Sequence, residues 1–300
     1  VGGGGHARKN KQRQGKRIQS LEPMTSEFSI AFIGGGNMAG ALACGLLEKR
    51  CLPDLLHVVE TNTALHTRWT ERGATVSATP DVALTRCGVW IYAVKPQHMK
   101  EAVRASRPWL RSDTLVISIA AGIPAVVLAR WLGSPHAPWK QLVRCMPNTP
   151  ALVGAGITGL AALPGVDAKD RALATRLLSS VGQVVWVEDD TALDAVTAVS
   201  GSGPAYVFLF LESLIAGAQK VGLSVEQARQ LALATLAGAT RLAESSAETP
   251  AVLRERVTSK GGTTAAALQV FEDAGFKTMV EQAVLAAARR SRELGEEFGQ

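Results

Sequence analysis

The chain has 300 residues, 47% of them hydrophobic and 19% charged, which excludes a disordered chain and leaves room for two soluble globular domains with real cores. Its net charge of +6 hints at a polyanionic partner, but residues 1–23 hold six Lys/Arg against one acid, Glu22, so +5 lies there and only about +1 in the rest. Four cysteines, Cys44, Cys51, Cys87 and Cys145, lie in apolar stretches without CxxC spacing, which argues against a zinc site or disulfide framework and fits a reducing cytoplasm.

Residues 1–26 read as a basic tail. Four glycines follow Val1, no hydrophobic periodicity appears, and no apolar h-region marks a secretory signal. Disorder is the expectation, with a weak polyanion-binding arm as the alternative. Met24 stands just before the folded part is expected to begin.

From residue 27 to 187, short apolar runs alternate with helical patterns. Strands are expected at 28–33, 56–60, 88–94, 114–119, 141–145, 156–161 and 184–187, and helices at 37–50, 63–72, 80–85, 97–109, 124–132 and 168–181. Such alternation implies a Rossmann-type α/β domain, a parallel sheet with helices on both faces and ligands beyond the carboxyl ends of the strands. The first strand runs into Gly34-x-Gly36-x-x-Ala39, and a helix follows at once. Gly34 permits the tight turn, Gly36 lets a diphosphate approach the backbone, and Ala39 lets the helix pack on its strand. The free N–H groups of the helix start face the anion.

Other strand ends add to this edge. The second ends at Glu60, an acid placed to accept from a ribose 2′-hydroxyl and to disfavour a 2′-phosphate; no Arg follows at once, Arg68 being on the next helix. The strand through Ala93 leads into Val94, Lys95 and Pro96, where proline stiffens the turn. Ala120–Ala121–Gly122 closes another strand with residues small enough for a flat ring to lie against the backbone. In Arg144–Pro150, two prolines fix a loop in which Asn148 offers an amide, either to a ligand or to its own turn.

Beyond residue 187 the strands stop. Helices are expected at 190–199, 203–221, 225–246, 250–258, 263–274 and 276–297, with Asp189–Thr191 as a start signal and Ser224 with Gln227 as a capping box. Small residues such as Ala232, Ala237 and Gly238 cover more than one helix face, so burial on several sides is needed, and residues 188–300 are expected to form a dimerisation domain. The charge-free stretches 147–166 and 195–211 are broken by Gly and Pro and do not suggest membrane spans. Two Gly-rich segments, Ser200–Tyr206 and Ser259–Thr264, each precede a helix. Backbone N–H groups at the second suit a carboxylate, while the hydroxyls of Thr263 and Thr264 serve either as helix caps or as substrate contacts. The five histidines have no metal spacing, and no HExxH or GxxxxGK[ST] motif occurs, so neither a metal nor ATP is expected.

Six motifs in this order, FIGGGNM, AVKP, SIAAG, RCMPNTPA, SGSGPAY and VTSKGGTT, resemble the pyrroline-5-carboxylate reductase family over residues 28 to about 290. The resemblance implies a Rossmann domain followed by an all-helical domain that interlocks two subunits, often five dimers to a decamer. It implies hydride transfer from NADPH or NADH to the C=N bond of 1-pyrroline-5-carboxylate, giving L-proline in the last step of its biosynthesis. Gly34, Gly35, Gly36, Asn37, Met38, Glu60, Ala93, Val94, Lys95, Pro96, Ala121, Gly122 and Asn148 are then cofactor residues. Ser259, Gly261, Gly262, Thr263 and Thr264 hold the substrate, Thr264 near the ring nitrogen for positioning or proton relay, at a site built across the dimer interface.

Three departures from the pattern stand out. Lys260 replaces a usual proline, adding a cation beside an anionic substrate while loosening the turn. Glu60 makes NADH an option in a family that often prefers NADPH, and Thr79–Pro80 stands where Asn is common near the adenosine. A β-hydroxyacid dehydrogenase would share the plan but needs GxxGxxKxxxN in its second part; Lys220 lies at the far end of the helix and lacks the Asn. A reductase of another cyclic imine and a non-catalytic NAD(P) sensor remain as alternatives.

Overall fold

The computed structural model describes residues 28–49 and 51–298; the tail expected over 1–26 lies outside the described residues. The first part is one eight-stranded sheet in the order β3-β2-β1-β4-β5-β6-β7-β8. Its strands are β1 (Ser29–Ile33), β2 (Leu56–Val59), β3 (Thr75–Ser77), β4 (Cys87–Tyr92), β5 (Leu115–Ser118), β6 (Leu142–Met146), β7 (Gly156–Ala162) and β8 (Gly182–Trp186). All neighbours pair in parallel except β6 and β7. The sheet is therefore mostly rather than wholly parallel. The link from β6 to β7 holds only a 3-10 turn, Thr149–Val153, too little chain to cross back over the sheet.

Alternation along the strands builds a core on each face. Ile30 and Phe32 of β1 face one way, with Leu42 and Leu46 of α1 (Asn37–Glu48), Trp69 of α2 (His66–Thr70) and Leu177 of α5 (Ala168–Leu178). Ala31 and Ile33 face the other way, with Trp90, Tyr92, Met99 and Val103 of α3 (Pro96–Ser106), and Leu128 of α4 (Ala125–Leu132). The strand order reverses between β1 and β4, so the crevice for a ligand opens there.

Three local expectations are corrected. Residues 80–85 form a 3-10 turn, Val82–Arg86, because the Asp81 side chain accepts from the Ala83 N–H and starts the chain there without a long apolar face. The helix expected at 63–72 shrinks to α2, after a 3-10 turn at Thr63–Leu65. The edge strand β3 is three residues long, too short to carry a period-2 signal.

The remainder is helical: α6 (Ala192–Val196), α7 (Gly203–Lys220), α8 (Val225–Ser245), α9 (Pro250–Arg256), α10 (Thr263–Asp273) and α11 (Phe276–Phe298). The capping box at Ser224 and Gln227 is formed from both sides. Gly201 and Pro204 do not break the first helical run as their types suggest. A π turn, Thr197–Gly201, absorbs the irregularity, and Ala192–Lys220 stays helical throughout, long and apolar enough by composition to cross a membrane.

Small residues and buried polar contacts fasten this helical part to the sheet. A Cβ on Gly159 would meet the Val196 side chain at 2.6 Å, and one on Gly201 would meet Met146 at 2.7 Å. Arg144 on β6 donates to Asp190 at 2.9 Å, and the other Asp190 oxygen accepts from the first N–H of α4, that of Ala125, at 2.7 Å. From α11, Ser291 donates to Asp194 at 2.7 Å, and Leu294 and Phe298 close over Gly122.

Candidate dinucleotide and substrate sites

The loop between β1 and α1 holds three glycines in three different environments. Gly34 adopts a φ of +98°, and a Cβ there would meet Val94 and the Ala93 backbone at 2.8–2.9 Å. Only glycine turns here. Gly35 is enclosed: a Cβ would strike the Trp69 Nε1 at 2.6 Å. Gly36 has nothing within 4 Å of its Cβ position, yet its φ of −69° and ψ of −170° suit any residue. The fold around it therefore does not itself require a glycine at this position. The position is the N-cap of α1 and has no side-chain cap, which leaves the first helical N–H groups for a ligand. This arrangement fits a dinucleotide diphosphate.

Side chains from β2 and α2 surround the loop. Glu60 accepts from the Gly35 N–H at 2.7 Å through one oxygen and from the Asn62 N–H at 2.7 Å through the other. The Gly35 carbonyl accepts from Arg68 Nη2 at 2.6 Å and from Trp69 Nε1 at 3.2 Å, and Arg68 Nη2 also reaches the Gly36 carbonyl at 3.2 Å. The sequence places Arg68 only on the helix after Glu60 and gives Trp69 no role: the coming together of β1 and α2 is what shows their grip on the loop. A buried tryptophan does carry one general signal, an N–H that needs a partner.

The other expected cofactor residues gather along the same strand ends. Ala93 N–H pairs with Ile33, Lys95 is the N-cap of α3 with Pro96 at its first position, and Ala121–Gly122 turn out of β5, Gly122 at a φ of +74°. Asn148 is buried, and its side-chain oxygen accepts from the Ile157 N–H at 3.0 Å. That bond uses the oxygen to fix the β6–β7 link and leaves the amide nitrogen as the group with ligand capacity. Asn37 and Met38 form the first turn of α1.

The Ser259–Thr264 segment belongs to the helical part. Gly261 takes a φ of +70°, the Gly262 N–H bonds to the Ser259 carbonyl at 3.0 Å, and Gly262 is the N-cap of α10. Thr263 and Thr264 are helical, and no side chain caps this helix, so their hydroxyls do not act as its N-cap. The loop is largely exposed, Lys260 included. α10 packs on α11, whereas the helical part meets the sheet through α6, the π turn and the end of α11. In a single chain, the two expected halves of the site thus stand on different units.

Burial makes three of the cysteines poor nucleophiles: it raises the Cys51 thiol, pushes the Cys87 thiol up to about 11 and the Cys145 thiol higher still. Among the described residues, no group of three or more His, Cys, Asp or Glu is placed to hold a metal ion.

Comparison with known proteins agrees with this layout. A family model for pyrroline-5-carboxylate reductase dimerisation matches residues 190–294, and one for coenzyme F420-dependent NADP oxidoreductases matches residues 29–122. The pyrroline-5-carboxylate reductase of Pseudomonas aeruginosa is 44% identical over 272 residues, covering 90% of this chain and 98% of that protein. A solved pyrroline-5-carboxylate reductase from Coxiella burnetii matches with a TM-score of 0.83 at 34% identity, over 90% of this chain and 99% of that one. The Plasmodium falciparum pyrroline carboxylate reductase, solved with NADP bound, matches with a TM-score of 0.78 at 31% identity, over 90% and 98% of the two chains.

Proposed function

The chain belongs to the pyrroline-5-carboxylate reductase family, and we propose that it divides its reaction between the sheet, which holds the cofactor, and the α10 loop of a second subunit, which holds the imine. The enzyme is an NAD(P)H-dependent oxidoreductase that reduces 1-pyrroline-5-carboxylate to L-proline, the last step of proline biosynthesis. Its helical part is a dimerisation domain.

The bound cofactor supplies the hydride, so the protein needs no nucleophile of its own. Its tasks are to hold two reactants in register and to keep water out. The open face of Gly36 and the N–H groups of Asn37 and Met38 receive the diphosphate. Ala93–Pro96, Ala121, Gly122 and the Asn148 amide line the path toward the reactive ring. Glu60 meets the adenosine ribose, and its carboxylate opposes a 2′-phosphate, which favours NADH. On the partner, Ser259 and the N–H groups of Gly261 and Thr263 hold the substrate carboxylate, beside Gly262, whose own N–H closes the turn onto the Ser259 carbonyl, and Lys260 adds a cation nearby. The Thr264 hydroxyl orients the ring nitrogen; it is too weak an acid to be the proton's source, so the iminium arrives already protonated and hydride addition gives the neutral amine.

The observation that carries this reading is Gly36: a residue with ordinary backbone angles and open space where a side chain would stand, at an uncapped helix start. The apolar run Ala192–Lys220 lies within the segment that the dimerisation model matches, and a second copy of the chain, rather than a membrane, is its partner in this reading. Assembly of such dimers into a decamer and a cytoplasmic location belong to the same proposal; the free, mostly buried cysteines favour the latter. The test is oxidation of NADH and of NADPH by 1-pyrroline-5-carboxylate, side by side at matched concentrations. Faster turnover of NADH supports the role given to Glu60. Equal or inverted rates remove Glu60 from the ribose, and no oxidation by a protein that still binds the cofactor points to another cyclic imine.

A further inference from the structure

We propose that Arg68 and Trp69 are positioning residues for the cofactor: from α2 they grip the inward side of the Gly35–Gly36 peptide and so aim its N–H outward at the diphosphate. The inference rests on the reading of the glycine loop as the diphosphate site. Its geometry is that of a single peptide plane. In a trans peptide the carbonyl of one residue and the N–H of the next point in opposite directions. The Gly35 carbonyl is turned inward by two donors, Arg68 Nη2 at 2.6 Å and Trp69 Nε1 at 3.2 Å. The Gly36 N–H is consequently directed away from those two donors, and at the same residue nothing lies within 4 Å of the Cβ position. Glu60 holds the preceding N–H, that of Gly35, at 2.7 Å, so both ends of the Gly35 residue are fixed by side chains.

The grip answers a need that the sequence creates. Three consecutive glycines are the most mobile run the backbone can have, and a mobile loop must be ordered when an anion binds. Trp69 is fully buried, and the 2.6 Å approach of its ring nitrogen to the Gly35 Cβ position shows why Gly35 must itself be glycine. The guanidinium of Arg68 lies 5.6 Å from the centre of the Trp69 ring, and its Nε is buried without a hydrogen-bond partner. A cation held under the loop in this way also contributes attraction for the diphosphate above. The same bonds turn Arg68 toward the loop carbonyls, so its role is distinct from that of a 2′-phosphate receptor.

The experiment is calorimetric titration of the full chain with ADP, NADH and NADPH, alongside steady-state kinetics. Arg68→Ala is expected to weaken all three ligands about tenfold, the size of effect that a lost charge-assisted hydrogen bond gives. The KM for the imine and the melting temperature stay near those of the parent, and Arg68→Lys recovers part of the affinity. Trp69→Phe keeps a buried aromatic ring, loses the N–H together with the fused five-membered ring, and weakens ADP about threefold. Unchanged ADP affinity in Arg68→Ala, or a loss confined to NADPH, overturns the proposal. So does a loss that appears only together with a fall in melting temperature and a matching rise in the imine KM. Gly36→Val separates this inference from the one beneath it. If that variant still binds ADP, the loop is not the diphosphate site. If it does not, while Arg68→Ala and Trp69→Phe bind normally, only the positioning role fails.

Discussion

The two parts of this molecule bury their apolar residues in opposite ways. In the sheet part, β2 and β5 are buried along their whole length, and a core fills each face. In the helical part, α7, α9 and α10 have no buried residue, α8 has only Ala228 and Ala232, and α11 only Ser291. Phe208, Leu209, Val270 and Leu285 stand exposed among many others. Exposed apolar surface on this scale marks an interface. One chain is therefore sufficient for the sheet, whereas the helical part is half of a larger core, and a site that draws on both parts depends on the dimer.

The contrast breaks most visibly where the helical part meets its partner. Leu209 is 65% exposed on α7, and Leu209→Asp would bury a charge in the dimer core. The dimer is expected to dissociate in light scattering, with activity falling by roughly a hundredfold or more, since a charge buried without a partner costs several kcal/mol. NADH affinity, a property of the sheet, stays within about twofold of the parent. An unchanged mass at micromolar protein would remove α7 from the interface.

Gly36→Val attacks the other part alone. Its backbone angles accept valine and its surroundings have room for one, so the melting temperature and the dimer persist. NADH binding should weaken by about a hundredfold or more, because the valine occupies the space of the diphosphate. Thr264→Ala sharpens the division from the substrate side: kcat falls about tenfold to a hundredfold while NADH affinity holds. Loss of cofactor binding in that variant would sink the assignment of Thr264 to the imine.

Two smaller effects probe the seam and the sheet. Arg144 is buried, and its bond to Asp190 ties β6 to the start of the helical part. Arg144→Met leaves Asp190 without its cation and should cost about 3 kcal/mol, read as a lower denaturant midpoint. His57 lies in the sheet, its ring bonded to Thr75 at 2.9 Å, and burial lowers its pKa from 6.5 despite the nearby Asp81. Below pH 6.5 the unfolded chain takes up a proton that the folded one resists, so stability falls as the pH drops from 6.5 toward the folded pKa. His57→Gln should flatten that part of the stability profile; an unaltered slope would place the proton elsewhere.

How much was legible in the sequence follows the same division. The glycine loop, the strand ends and the long helices were visible because each is a local signal: a turn that needs glycine, a run of apolar residues, a cap such as Ser224. Strand β3 and the direction of β7 were not, since one is too short for a pattern and direction is set by how far the connecting chain can reach. The bond from Asn148 to Ile157 and the grip of Arg68 and Trp69 on Gly35 depend on segments far apart in the chain. No periodicity marks such pairs. The π turn at Thr197–Gly201 shows the converse, a Gly-rich stretch that suggested a break and instead continued the helix.

The shared site is tested most directly by mixing two crippled subunits. Gly36→Val lacks the cofactor loop and Thr264→Ala lacks the imine contact, and each homodimer is expected to turn over slowly. The two are co-expressed with different tags, the mixed dimer is purified through both, and NADH oxidation by 1-pyrroline-5-carboxylate is measured. If the sheet of one subunit works with α10 of the other, one of the two sites in the mixed dimer contains an intact Gly36 and an intact Thr264, and roughly half of the parent activity returns. If each subunit carries its own complete site, every site in the mixed dimer holds one defect. Activity that stays at the level of the parent variants would contradict the account.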